Sequence, residues 1–363
     1  MSSMWGERLK ISIFGGSHTE AIGVTLDGLP AGEQIDWEEI LVQMARRAPG
    51  QDATATTRKE ADMPKVLCGL LNGVTTGAPL TAIIENTNQH SKDYESLRVL
   101  PRPGHADYTA FVRYGNHHDV RGGGHFSGRL TAPLVFAGAV ARQILSRRGI
   151  VVGSHVVSVG QSPKDELFDG VNISPVLLSR LSREYFPVIA EQTKTAMRQE
   201  IEAARSEADS VGGIVECAVI GLPAGAGNPM FGGVENLISS IMFGIPAVKG
   251  VEFGAGFAAA YACGSQNNDS FYYDGKGAVK TRTNSAGGIL GGITSGMPIV
   301  FRVALKPTPS IGQEQDTVNL ETKQNAKLTV SGRHDPCIVP RAAPAVEAAA
   351  CIACLELLLE TGM

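Results

Sequence analysis

Polar and apolar residues alternate near the start of the chain: Leu9, Ile11 and Ile13 are separated by Lys10 and Ser12, a period of two that predicts a strand. Residues 22–29 predict a second strand, closed by the turn Pro30-Ala31-Gly32, so the opening reads as a hairpin. Asp36, with Glu39 three residues on, has capping-box spacing for a helix that carries Ile40, Met44, Arg46 and Arg47 until Pro49-Gly50 stops it. Further along, an apolar, Ala-rich helix is expected over 128–148, a polar surface helix over 190–208, a short one over 233–243 and a long final one over 341–360. Strands are expected at 151–159, 213–221, 250–257 and 297–305. Strands and helices do not alternate regularly, no segment repeats, and no Ser/Pro-rich linker divides the chain. The pattern predicts an α+β sandwich in one domain, residues 1–363, rather than a doubly wound parallel sheet.

Composition sharpens this in one respect. Glycine accounts for 43 of the 363 residues, well above the usual share of about 7%. Without repeats, that excess means tight turns and close backbone approaches, and it suits flat ligands laid against the main chain. A net charge of −4 argues against a nucleic-acid or membrane-surface binder while leaving room for a locally basic pocket. The start lacks the pattern of a signal peptide, and no apolar run reaches the roughly 18 residues of a membrane span. The six cysteines are scattered through apolar stretches, as buried free thiols of a reducing cytoplasm would be. Cys351 and Cys354 form a C-x-x-C inside the apolar run 345–359, where core packing is the simpler reading than redox or metal chemistry.

Unusual residues gather in Gly-rich loops, where functional groups on a rigid scaffold are most often found. Phe14-Gly15-Gly16-Ser17-His18 follows the first strand. Arg46 and Arg47 end a helix, where they either complement its dipole or grip a carboxylate or phosphate. Arg102-Pro103-Gly104-His105-Ala106-Asp107 leads to Arg121-Gly122-Gly123-Gly124-His125, whose glycines would let backbone amides approach an anion. This stretch holds four of the eight histidines, but no cysteine or carboxylate spacing completes a metal site, and none is expected. Asn284 to Ile293 interleaves paired glycines with apolar residues, and Lys306 to Ser310 joins an ammonium to hydroxyls in a way that suits a phosphate. Gly332-Arg333-His334-Asp335-Pro336 precedes the last helix. Each cluster taken alone is compatible with an ordinary turn or surface loop. Gly254-Ala255-Gly256-Phe257-Ala258-Ala259 matches a dinucleotide fingerprint, which would make an NAD-dependent dehydrogenase. The loop chemistry of 264–277 stands where its helix and second strand should follow.

In order along the chain, the clusters resemble the successive signature blocks of the chorismate synthases, from near residue 8 to residue 360. Gly104-His105-Ala106-Asp107-Tyr108, Ala247-Val248-Lys249-Gly250-Val251-Glu252 and Gly332-Arg333-His334-Asp335-Pro336-Cys337 carry the likeness. The resemblance implies a single-domain β-α-β sandwich of antiparallel sheets packed with helices, usually a homotetramer. It also implies a lyase that needs reduced FMN to eliminate phosphate from 5-enolpyruvylshikimate-3-phosphate in an anti-1,4 sense, giving chorismate. On that reading His105 protonates the departing phosphate, His18 protonates the flavin, and Asp335 works through the flavin in removing the substrate proton. Arg46, Arg47, Arg121, Arg129 and Arg341 are the candidates for the substrate's anions. FMN is expected at His125, Phe126 and Ser127, at Pro246 and Ala247, at Gly292, at Lys306, Pro307, Thr308, Pro309 and Ser310, and at Arg333. No reductase domain is evident, so an external flavin reductant is expected.

The chain departs from the family pattern in places. Gly-Glu-Ser-His-Gly reads Gly15-Gly16-Ser17-His18-Thr19, and Gly-Arg-Ser-Ser-Ala-Arg-Glu-Thr reads Gly124-His125-Phe126-Ser127-Gly128-Arg129-Leu130-Thr131. Ala53 stands where many members carry an arginine. These changes predict an active enzyme with a variant flavin site. The rivals are a non-catalytic flavin- or anion-binding relative and the dehydrogenase.

Overall fold

The computed structural model describes residues 3–50, 62–86, 97–330 and 335–362. Its first sheet has the order β1-β2-β3-β7-β4, all antiparallel: β1 Met4–Trp5, β2 Lys10–Gly15, β3 Ala21–Asp27, β7 Leu80–Glu85 and β4 Pro64–Cys68. The register explains the alternation read from the sequence. Ile11 pairs with Leu26 and Leu26 with Leu80, while Ile13 pairs with Val24 and Val24 with Ala82, so one face collects the apolar residues. The second sheet, order β10-β15-β9-β8, joins β10 Val248–Phe253, β15 Ile299–Leu305, β9 Gly213–Ile220 and β8 Val151–Val159. Its strands are covered on both faces. Cys217, Val219, Phe301 and Val303 belong to the main core, whereas Ala218 and Val300 join a second cluster with Phe168, Leu178 and Leu181. Two-sided burial gives these strands continuous apolar runs.

Between the sheets lie α1 Trp37–Arg47, α3 Thr131–Arg147 and α8 Val339–Thr361, while α4 Pro175–Leu181 and α5 Glu191–Ser206 pack on β8. The shorter helices are α2 Asp107–Tyr114, α6 Val234–Met242 and the one-turn α7 Gly264–Asn267. Small hairpins pair β5 Leu70–Leu71 with β6 Val74–Thr75, β11 Phe271–Tyr273 with β12 Val279–Thr281, β13 Ile289–Leu290 with β14 Ile293–Thr294, and β16 Gln315–Asn319 with β17 Gln324–Leu328. The α+β expectation is therefore borne out. α3 and α8 cross where a side chain at Gly138 would collide with Ala348, so two small residues set their close approach. One expectation needs correcting: α8, at 23 residues, is long and apolar enough to cross a membrane. It is instead a core helix, because nearly all of it is buried between the sheets.

One buried ionic node pins the layers together. Glu347 of α8, 1% exposed, accepts from Arg46 of α1 at 2.8 and 2.9 Å, from Arg142 of α3 and from Ser154 Oγ of β8 at 2.8 Å. At the N-terminus of α1, Asp36 accepts from the Glu38 amide at 2.9 Å, and Glu39 turns outward to pair with Arg183 instead of closing a capping box.

Candidate active site

A cavity of about 550 Å³ opens where the C-terminus of α1, the loop before α2, the glycine loop 122–129, the segment after α6, the end of β15 and the N-terminus of α8 converge. This volume lies within the range of small-molecule and cofactor sites. Among the described residues, its wall carries Arg47, Arg102, Arg129, Lys306 and Arg341 against a single carboxylate, Asp335. The first turns of α3 and α8 also reach it, through Thr131 and Ala342, and helix N-termini favour anions.

At one end, three guanidiniums crowd around one buried carboxylate. Asp62 accepts from Arg47 Nη1 at 2.5 Å and from Arg129 Nη1, and Arg341 Nε donates to the Arg47 carbonyl at 3.2 Å. Burial opposes ionisation of Asp62, but the two arginines outweigh it and hold the carboxyl below its usual range. Burial, with Arg341 and Arg129 nearby, presses Arg47 down to about 10 even though Asp62 works the other way. A guanidinium depressed first by burial and then by two like charges is one whose charge an anionic ligand would stabilise. Arg341 also donates to Asp335 Oδ2 at 2.6 Å and thereby fixes that carboxylate in the wall.

The other side is built around His105. Its Nδ1 lies 2.5 Å from Asp107 Oδ1, and Arg102 holds Asp107 through Nε and Nη2, each at 2.8 Å. Arg102 Nη1 donates onward to Ser310 Oγ at 3.1 Å. Lys306 Nζ donates to the Gly104 carbonyl, and burial together with Lys249 pushes this ammonium below the usual lysine value.

The glycine loop separates the two candidate catalytic histidines. Gly122, at φ +59°, lies so close to His18 that a Cβ would strike the imidazole and Ser17 Oγ. Gly123, at φ +92°, would place a Cβ 3.1 Å from His105 Nε2. Both conformations favour glycine, and each leaves one imidazole uncovered. His18 is buried behind Gly122, with Nδ1 3.1 Å from Ser17 Oγ, while His105 lines the cavity itself.

The remaining sequence-predicted residues divide clearly. His125, Phe126, Ser127, Pro246, Ala247, Thr308, Pro309 and Ser310 line the cavity together with Arg47, Arg129, Arg341, His105 and Asp335. Ala247 is held at φ +77°, a left-handed conformation that costs a non-glycine residue about 1–3 kcal/mol. The His125 ring is occupied by the Gly15 carbonyl at 2.7 Å and Ser3 Oγ at 2.6 Å, whereas the Phe126 ring packs at a tilt of 38° against Tyr114, 6.3 Å between centroids. Arg46 lies away from the cavity in the Glu347 node. Arg121 projects to solvent and pairs with Asp119 at 2.7 Å. Gly292 forms the turn of the β13–β14 hairpin with Gly291 and packs on Asn228 and Gly233, and Pro307 is not in the wall either. Arg333 and Ala53 fall outside the described residues. Sequence reasoning did not assign roles to Arg102, Asp107 or Asp62, although Arg102 and Asp107 flank His105 at positions −3 and +2. Among the described residues no three His, Cys, Asp or Glu side chains gather as metal ligands.

The family model described as chorismate synthase matches residues 9–359. The chain belongs to the chorismate synthase family. Proteins named chorismate synthase from Dehalococcoides mccartyi and Thermococcus kodakarensis are 45% and 46% identical to it, over 100% and 98% of this chain and 98% and 97% of theirs. A crystal structure of a chorismate synthase superposes with a TM-score of 0.76 at 27% identity, covering 98% of this chain and 93% of the other. Chorismate synthases are lyases, and the chain is therefore an enzyme of that class. The dehydrogenase alternative is not favoured: the fingerprint runs from Gly254 into an exposed 3-10 turn over Gly256–Tyr261, followed by a one-turn helix and a small hairpin instead of a βαβ unit.

Proposed function

We propose that the cavity binds 5-enolpyruvylshikimate-3-phosphate beside reduced FMN and eliminates phosphate to give chorismate. The observation that carries this reading is the wall in which, among the described residues, five cations face one carboxylate, with His105 between them. A substrate with one phosphate and two carboxylates matches that surplus. The fit to a flavin phosphate is supported by Thr308, whose buried Oγ1 has no hydrogen-bond partner among the described residues and which lines the cavity with Lys306 and Ser310. An orphaned buried hydroxyl is costly unless a ligand completes it. Phe126, packed obliquely against Tyr114, gives the cavity an aromatic surface for a flat ring.

When bound, reduced FMN supplies electron density transiently as the carbon–oxygen bond breaks. Arg47, Arg129 and Arg341 grip the anions, and Arg341 holds Asp335 where a substrate C–H proton leaves. His105 gives a proton to the departing phosphate from Nε2. His18, behind Gly122, keeps a second imidazole close to the reacting region without lining it. Residues 1–363 are read as one catalytic domain, supported by a core running from Leu9 to Leu358. A homotetramer is supported by the exposed Phe231, Phe257, Tyr261, Phe271 and Tyr273, which a lone chain leaves in water. Cytoplasmic placement and an external flavin reductant complete the reading.

The test is an anaerobic assay with dithionite-reduced FMN, following phosphate release and chorismate absorbance. Turnover that disappears with oxidised FMN and in His105→Ala is expected. FMN binding with no turnover would overturn the catalytic reading in favour of a binding protein.

A further inference from the structure

We propose that Asp107, braced by Arg102, is a positioning residue that fixes the His105 tautomer, placing the ring hydrogen on Nδ1 and turning Nε2 into the cavity. The inference rests on the reading of His105 as the group that handles the phosphate proton.

The geometry leaves one consistent assignment. Asp107 is 6% exposed and receives four donors or near-donors: the Arg102 amide at 3.0 Å, Arg102 Nε and Nη2 at 2.8 Å each, and His105 Nδ1 at 2.5 Å. Burial disfavours its charge, yet hydrogen bonds from Arg102 and His105 win and hold the carboxyl well below the usual range. An ionised carboxylate only accepts, so the nitrogen 2.5 Å away must donate. Arg102 Nη2 also lies 3.1 Å from His105 Nδ1, but a guanidinium cannot donate to a nitrogen that already carries hydrogen. That approach follows from both groups converging on Asp107 Oδ1.

Nε2 then points at the glycine loop, where Gly123 leaves it uncovered. Protonated His105 carries hydrogen on both nitrogens. As the carbon–oxygen bond breaks, its electron pair leaves with the phosphate oxygen, which takes the Nε2 hydrogen. The imidazole returns to neutrality with Nδ1–H still donated to Asp107, and the proton lost from the substrate carbon balances the one gained by phosphate. Arg102 couples this pair to Ser310, so the same guanidinium aligns the acid and one wall of the anion site.

The experiment begins with the unaltered protein: imidazole 15N NMR with histidine labelling, assigned with His105→Ala, at alkaline pH where the ring is neutral. The expected spectrum has hydrogen on Nδ1 and a bare Nε2, the reverse of the tautomer that free histidine prefers. In Asp107→Asn the signature shifts toward Nε2–H, and kcat falls about 100-fold while KM changes little. Asp107→Glu, which keeps the acceptor, restores the Nδ1–H signature and part of kcat. Hydrogen on Nε2 in the unaltered protein overturns the proposal without reference to any variant. So does a folded Asp107→Asn with unchanged tautomer and kcat. If His105→Ala keeps full turnover while the Nδ1–H tautomer is observed, the role of His105 fails and the tautomer assignment stands.

Discussion

Arg46 and Arg47 are neighbours in the sequence, and replacing each should produce opposite kinds of damage. Arg46 is 3% exposed and makes five hydrogen bonds: two to Glu347, and one each to Gln43 Oε1 and the carbonyls of Glu184 and Leu181. Arg46→Met keeps much of the packed volume but removes a cation from a buried pair. Breaking such a pair costs about 3–5 kcal/mol. Arg142 and Ser154 remain on Glu347, so the lower end, about 3 kcal/mol, is expected. For a chain of 363 residues the unfolding entropy near 60 °C is about 0.8 kcal/mol per kelvin, which converts that loss into a Tm about 4 °C lower. Calorimetry and steady-state assays read the two effects separately. The expected outcome is a lower Tm with substrate KM unchanged, whereas Arg47→Met raises KM. An Arg46→Met protein with unaltered Tm and a KM raised tenfold would refute the structural role and return Arg46 to the substrate.

Gly123→Ala imposes a left-handed backbone on alanine, costing about 1–2 kcal/mol, and puts a methyl 3.1 Å from His105 Nε2; kcat should fall more than KM rises in the elimination assay. Thiol titration of the native protein should find Cys68 and Cys263 reactive, while burial keeps Cys217, Cys337, Cys351 and Cys354 silent until unfolding, with Cys337 pushed up to about 12 and Cys351 to about 11. His155 is fully buried between Asp165 at 3.1 Å and Glu216 at 3.0 Å, and although burial opposes its charge, hydrogen bonds to these carboxylates raise its pKa. A raised folded pKa stabilises fully below the unfolded value of about 6.5 and fades as pH rises through the folded one. The urea midpoint lost in His155→Gln should therefore be largest near pH 6 and shrink at alkaline pH, and a loss that grows with pH would contradict a charged His155.

The fold was legible wherever one face of an element met one layer. β2 and β3 alternate because only one face of their sheet is buried, and the helix ending at Arg47 shows its period for the same reason. Ends were less legible. The strand expected over 250–257 stops at Phe253, where Gly254, at φ +53°, turns the chain into the 3-10 segment. α8 hid its nature because it is enclosed by β8 and β9 of the second sheet and by α1, α3 and α6: a helix buried all round has no polar stripe, so its composition matches a membrane span and only its neighbours identify it.

The site was legible as a set of loops and illegible as a set of directions. Successive residues on a helix diverge by about 100°, so Arg46 and Arg47 leave the same turn toward different partners, one to Glu347 inside the sandwich and one to the cavity. No feature of the dipeptide separates them. What does separate them is access to the cavity, which Arg47 lines and Arg46 does not. Arg46 and Arg142 share Glu347 away from the cavity, whereas Arg47, Arg129 and Arg341, which pair with Asp62 and Asp335, line it. Among the described residues the cavity wall sets five cations against one carboxylate, and burial, ahead of the neighbouring Arg341 and Arg129, presses Arg47 down to about 10. Anion binding in this net-acidic chain therefore comes from which arginines face the cavity, not from arginines supplied in excess overall.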